Sequence, residues 1–113
     1  MSASSEVVVD FKKLGGPVYS GRSKGALARK EFKLDKVDKA QAKVIVRIPE
    51  STYSVTSSFY LALFGKSILQ AGSREAFLNR YDFQVPKVFL DTFETCIARA
   101  LQEHRALISN HKK

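Results

Sequence analysis

Residues 58–72 constrain the fold more than any other part of the chain. Their apolar side chains cover most of a helical circumference: Phe59, Leu61, Leu63, Phe64, Ile68 and Leu69. A helix that is apolar on most sides has to be buried against other elements. Just upstream, the run Val44-Ile45-Val46 with Ile48 predicts a strand buried on both faces and closed by Pro49. A buried strand followed by a buried helix predicts an α/β fold.

The first part of the chain predicts two short strands and a helix. Residues 7–9 and 18–19 are rich in β-branched or aromatic side chains, which favours strands. The intervening Gly15-Gly16-Pro17 is a strong turn signal, so we expect these strands to pair as a hairpin. Residues 23–32 have an apolar side at helical spacing, although Gly25 weakens the helix prediction.

The last part predicts a short strand and a long helix. Residues 76–78 suggest a helical turn, residues 82–85 a strand, and Pro86 a helix start. A 3.6-residue apolar period then continues to about Ser109, carried by Phe89, Phe93, Ile97, Ala100, Leu101, His104 and Ile108. Together the elements predict a small mixed sheet of about four strands with two main helices packed on it.

Length and composition fit one soluble domain. The chain has 113 residues, 44 % of them apolar, and no stretch approaches the roughly 18 apolar residues of a membrane span. We expect a single domain over residues 6–109, a disordered N-terminus over 1–5 and a flexible end over 110–113. The lone Cys96 and the lack of a secretory leader favour the cytoplasm. Short edge strands allow either a monomer or a homodimer.

The sequence lacks the residue sets that most enzymes and metal sites need. His104 lies on the apolar stripe of the last helix, which is typical of a core-edge residue, and His111 has no further zinc ligands near it. Neither of the common glycine-rich phosphate-binding motifs occurs. We therefore expect a non-enzymatic protein with no metal and no cofactor.

The formal charge of +8 raises the question of an acidic or nucleic-acid partner. Basic residues are dense in the segment 22–43, which is either a solvated helix face or a phosphate-binding surface. The residues predicted for the second alternative are Arg22, Lys24, Arg29, Lys30 and Lys33. The glycine-bounded stretch 21–25 is either an ordinary turn or a phosphate-holding one.

One line of the helix 58–72 is polar or small. Ser58, Ala62, Lys66 and Gln70 recur every four residues along it, which predicts an exposed strip. Small side chains in its first half would let another surface approach the backbone closely. We predict that a protein partner binds here, at the loop 51–56 and at Ser57, Ser58, Ala62 and Lys66.

Two motifs carry a resemblance to a known family. They are the string Val55-Thr56-Ser57-Ser58-Phe59 followed by Leu63-Phe64-Gly65, and the upstream Gly21-Arg22 with Arg29. Over residues 7–103 the chain resembles the STAS-like domain of unknown function, related to sulfate-transporter and anti-sigma-factor-antagonist domains. The resemblance implies a regulatory protein-binding module whose partner is a kinase-like ATPase or another regulatory protein.

The same resemblance implies a phosphoacceptor serine at the start of the helix 58–72, at Ser57 or Ser58. The residue types allow a second role, because Ser57 is also a good N-cap for this helix. A phosphate at a helix N-terminus sits in a favourable field, so capping and phosphorylation are both compatible with this position.

Overall fold

A computed structural model describes the backbone of residues 6–111 and the side chains of residues 6–103. The elements in chain order are β1 Glu6–Asp10, β2 Val18–Tyr19, α1 Arg22–Glu31, α2 Leu34–Lys39, β3 Lys43–Arg47, β4 Ser54–Val55, α3 Ser57–Ala71, α4 Arg74–Arg80, β5 Tyr81–Gln84 and α5 Lys87–His111. A single 3-10 turn, Phe11–Leu14, follows β1. The predicted α/β class is confirmed.

The strands form two sheets, and every described strand pair is parallel. One sheet has the order β1-β3-β5, and the other consists of β2 and β4. The structure thus has five strands over residues 6–111, where about four in one mixed sheet were expected. The predicted hairpin is wrong, because the turn at residues 15–17 carries the chain from β1 into a different sheet. Parallel partners need a long crossover, which α1 and α2 supply between β1 and β3.

Among the described residues, helices cover the three-stranded sheet on one face only. Val9, Val44 and Val46 are fully buried on that face. On the other face Lys43 and Arg47 are exposed and Val8 is 41 % exposed. The prediction that β3 is buried on both faces is therefore wrong, since its charged ends alternate with its valines on the pleat.

The helix α3 is the centre of the helical layer and packs against both α1 and α5. Its Phe64 ring lies 5.6 Å from the ring of Tyr81 in β5, which seats the helix on the sheet. On its other side, a Cβ added at Gly25 of α1 would lie 2.5 Å from the Phe59 carbonyl oxygen and 2.8 Å from the Ala62 Cβ. Gly25 therefore lets the backbones of α1 and α3 come together.

The last helix ends at His111, two residues beyond the predicted end. The expectations for residues 1–5 and 112–113 lie outside the described residues, as do those for the side chains of His104 and His111. None of the described helices combines the length and the hydropathy that crossing a bilayer would require.

Candidate functional site

The first turns of α1 and α3 lie side by side at one edge of the structure. β2 and β4 are parallel neighbours, so their carboxyl ends lead into the two helices at the same place. The Gly21 N–H donates to the Thr56 hydroxyl at 3.4 Å, and the Thr56 N–H donates to the Tyr19 carbonyl at 2.9 Å. We call residues 21–24 and 53–58 the corner.

Thr56, not Ser57, is the N-cap of α3. Its backbone is extended, and its hydroxyl accepts a hydrogen bond from the Phe59 N–H at 3.3 Å. Ser57 is the first helical residue and is half-buried, while Ser58 is exposed with its hydroxyl 3.4 Å from that of Thr56. The predicted cap is thus wrong by one residue. Residues 56–58 all carry hydroxyl side chains, so residue type alone could not show which of them caps the helix.

The corner is electropositive. Neither first turn, both wholly within the described residues, contains an acidic residue. Helix N-termini carry unpaired amides and a partial positive charge, and here two of them adjoin. Arg22 and Lys24 add exposed cationic side chains, and Tyr53, in the loop that precedes β4, is 82 % exposed. Carboxylates and phosphorylated side chains are the groups that such a surface attracts.

The predicted strip on α3 is only partly free. Ser58 and Lys66 are exposed, but Ala62 is half-buried because α1 passes over it at Gly25. The small side chain does allow a backbone to come close, and that backbone belongs to α1 of the same chain. The remaining surface of Ala62 lines a groove of about 320 Å³ together with Leu61, Gly65, Leu69 and Ala100, between the side chains of Arg22 and Glu103. We call this the α3 groove.

Of the basic residues predicted to bind phosphate, Arg29 is not available at the surface. The exposed ones are Arg22, Lys24, Lys30 and Lys33. Arg29 is only 7 % exposed, and its guanidinium donates to Asp35, to the Leu63 carbonyl and to Ser67. The hydrogen bonds that Asp35 accepts from Arg29 lower the pKa of the Asp35 carboxyl below its ordinary value. The phosphate-binding prediction for Arg29 is therefore wrong.

Arg29 belongs to a buried polar cluster that was not predicted from the sequence. At its centre Asp38 is fully buried. Its Oδ1 accepts from the Tyr81 hydroxyl at 2.6 Å and from Arg80 at 3.2 Å, and its Oδ2 accepts from Ser67 at 2.5 Å and from Arg29 at 3.2 Å. We call these five residues the Asp38 cluster.

Every residue of the Asp38 cluster is hydrogen-bonded to another group of the protein. Burial and the hydrogen bond to Asp38 raise the pKa of Tyr81, so its hydroxyl remains a donor. Groups that all have protein hydrogen-bond partners stabilise the fold, and none of them is free to act as an acid, a base or a nucleophile. Asp38 lies one turn after the buried Leu34 on α2, and that spacing is the sequence signal that could have revealed it.

The remaining candidate chemistry in the described residues is sparse. Cys96 is buried, and burial raises the pKa of its thiol, which disfavours the reactive thiolate. Within the part of the chain that the structure describes, no three His, Cys, Asp or Glu side chains are placed to hold a metal ion.

Comparison of the chain with protein-family models, curated proteins and solved structures finds no match. The resemblance to the STAS-like domain therefore stays a prediction from the motif residues. Function has to be inferred from the geometry and electrostatics of the corner and its surroundings.

Proposed function

We propose that this chain is a non-enzymatic regulatory module of STAS-like type that binds a partner protein at the corner. The observation that carries the proposal is the pairing of two helix N-termini at the surface, with the 82 % exposed Tyr53 in the segment that leads into α3. Tyrosine and arginine are enriched among the residues that dominate protein interfaces, and the corner contains one exposed residue of each type, Tyr53 and Arg22. The α3 groove, which adjoins the corner through Arg22, extends the contact surface to Ala62.

The electropositive character of the corner favours the presence of an anionic group there. Two sources fit it: acidic side chains of the partner, or a phosphate placed on this chain by a kinase-like ATPase. Ser58 is the better acceptor on accessibility, because it is exposed and Ser57 is half-buried. A phosphate on Ser58 would face the amides of α3 with Arg22 and Lys24 nearby. The unpaired Cys96 supports a reducing compartment such as the cytoplasm.

Site-specific photo-crosslinking in the source cells tests this proposal. A photoreactive phenylalanine analogue replaces Tyr53 or Ser58 in turn, and the matched control carries it at Asp82 on the uncovered face of the sheet. All three positions are exposed, so the fold should tolerate each replacement. We expect a discrete protein adduct from Tyr53 and Ser58. Adducts that form only from Asp82, or from none of the three positions, would contradict the proposal.

The variant Ser58→Trp provides the binding test at the same place. Ser58 is exposed, so the substitution should leave stability nearly unchanged while a bulky uncharged side chain blocks the approach of the partner. Ala62 is unsuitable for this purpose because it contacts α1, and a large residue there would disturb the fold itself.

A second candidate function is nucleic-acid binding through α1 and α2. The supporting observation is that lysines along these helices are exposed while Asp38 among them is buried and neutralised by two arginines: the lysines are Lys30, Lys33, Lys36 and Lys39. Filter binding with generic RNA and DNA tests it. Affinity should fall steeply from low to moderate salt and fall further in Lys30→Glu/Lys33→Glu. No binding at low salt would remove this candidate.

A further inference from the structure

A second cavity, separate from the α3 groove, opens between α1 and the turn that precedes β2. Its volume is about 460 Å³. Leu14 and Val18 line one wall, Lys24 and Leu27 line the other, and Phe59 contributes to its lining. We call it the α1 cleft. Its size lies within the range of cavities that bind peptide side chains or small molecules.

The walls of the α1 cleft carry large apolar side chains that are exposed to solvent in the folded protein. Leu27 is 59 % exposed and Val18 is 47 % exposed, although both border a buried core. Burying such apolar surface favours association. An occupant with an apolar side chain would cover both residues at once.

The turn wall of the cleft is held in place before any partner arrives. The Tyr19 hydroxyl lies 2.9 Å from each of the carbonyl oxygens of Phe11 and Gly15. Gly16 packs so closely on the Tyr19 ring that an added Cβ would clash with the hydroxyl oxygen. A preformed wall reduces the ordering cost of binding.

The rim of the cleft is mainly cationic. Lys13 and Lys24 line it, with Glu31 as an acidic lining residue, and the neighbouring Lys12 and Arg22 are also exposed. This charge is complementary to an acidic occupant and opposes a basic one. Lys24 also belongs to the corner, so the two surfaces are continuous.

We propose that the α1 cleft binds an acidic peptide segment bearing a large apolar side chain, and that this segment belongs to the partner protein. The inference rests on the proposed function, since it names the chemistry of the partner that the corner recognises. The apolar side chain inserts between Val18 and Leu27, and flanking carboxylates pair with Lys13 and Lys24.

Selection from a phage-displayed library of random short peptides on the intact chain provides the probe. We expect enrichment of sequences with aspartate or glutamate on either side of leucine, isoleucine or phenylalanine. A fluorescent copy of the selected peptide then measures affinity. Leu27→Glu should weaken it at least about tenfold, as loss of a central interface residue does. Lys30→Glu is the matched control, on the same helix and exposed but outside the cleft lining, and should retain affinity within about twofold.

Selection of no acidic-apolar consensus, or a selected peptide whose affinity Leu27→Glu leaves unchanged, overturns the cleft proposal. Failure of the two proposals can be told apart. If Leu27→Glu keeps the photo-adduct at Ser58 and the peptide arm fails, the corner stands and the cleft does not. If acidic peptides bind in a Leu27-dependent way and no adduct forms at the corner, the cleft is supported as a peptide site and the proposed function is overturned.

Discussion

The Asp38 cluster and the corner both include residues of α1 and α3, yet the charges are arranged in opposite ways in the two regions. In the cluster, two arginines, a serine and a tyrosine converge on one buried carboxylate, and its hydrogen-bonding capacity is used within the fold. At the corner, cationic side chains and helix amides adjoin with no acidic residue in either first turn, both of which the structure describes. The chain thus neutralises charge inside the fold and leaves charge unmatched at the corner, where we propose that a partner binds.

The strongest way to break this comparison is to remove the centre of the Asp38 cluster. Asp38→Ala leaves Arg29 and Arg80 without their shared buried carboxylate, which should lower the free energy of unfolding by about 3–5 kcal/mol. Urea denaturation followed by circular dichroism measures the change. Asp35→Ala is the control, because that carboxylate also bonds Arg29 but its side chain is 80 % exposed. Equal losses from both variants would show that the buried cluster does not hold the fold.

The next test concerns the junction between the two regions, where α1 crosses α3 at Gly25. Gly25→Ala places a methyl group against the Phe59 carbonyl oxygen, and overpacking of this kind costs about 1–3 kcal/mol. Gly65→Ala is a matched control on α3, since an added Cβ there meets nothing within 4 Å. Alanine also favours helix over glycine, so Gly65→Ala should raise stability by up to about 1 kcal/mol. Equal effects of the two substitutions in thermal melts would contradict the close crossing.

A smaller effect distinguishes capping from recognition within the corner. Thr56→Ala removes the side chain that accepts from the Phe59 N–H and should cost about 1 kcal/mol. Ser57→Ala should cost clearly less, because Ser57 lies inside the helix. Chemical denaturation of both variants measures the difference. A larger loss of stability from Ser57→Ala than from Thr56→Ala would show that Ser57, and not Thr56, caps α3.

The smallest effect probes the positive field of the corner directly. Ser58→Asp introduces a carboxylate at the start of α3 and should stabilise the fold by about 0.3–1 kcal/mol at low salt. The gain should shrink as salt is added, because the site is exposed. Ser58→Asn serves as the uncharged control. If Ser58→Asp proves destabilising at low salt, the corner is not electropositive and the contrast with the Asp38 cluster fails.

Local patterns predicted the elements whose signal lies within one contiguous segment of the sequence. The apolar period of α5, the all-round apolar surface of α3 and the β-branched run of β3 are each properties of a contiguous segment, so each could be seen before folding. The α/β class followed from them. The pairing of β1 with β3 could not be seen, because parallel neighbours meet through a crossover and not through the turn that follows the first strand.

In the candidate site too, features that depend on one segment were predicted and features that depend on distant segments were not. The exposed Ser58, the hydroxyl-rich start of α3 and the basic start of α1 were predicted from their own residues. The burial of Arg29 was missed because two of its partners, Leu63 and Ser67, come from a helix more than 30 residues away. Gly25 weakened the prediction of α1, although the tertiary contact with Phe59 is what requires a glycine there. A residue's role changes when its neighbours are supplied by distant segments.

The composition of the Asp38 cluster also has a consequence for how the chain acquires its fold. The donors to Asp38 lie 9, 29, 42 and 43 residues from it along the chain, in Arg29, Ser67, Arg80 and Tyr81. An intermediate in which Arg80 and Tyr81, at the junction of α4 and β5, are not yet in place would bury Asp38 short of two donors or leave α2 undocked, so partly folded forms are destabilised. We therefore expect an all-or-none unfolding transition. During synthesis, stable structure should appear only after Tyr81 has emerged from the ribosome.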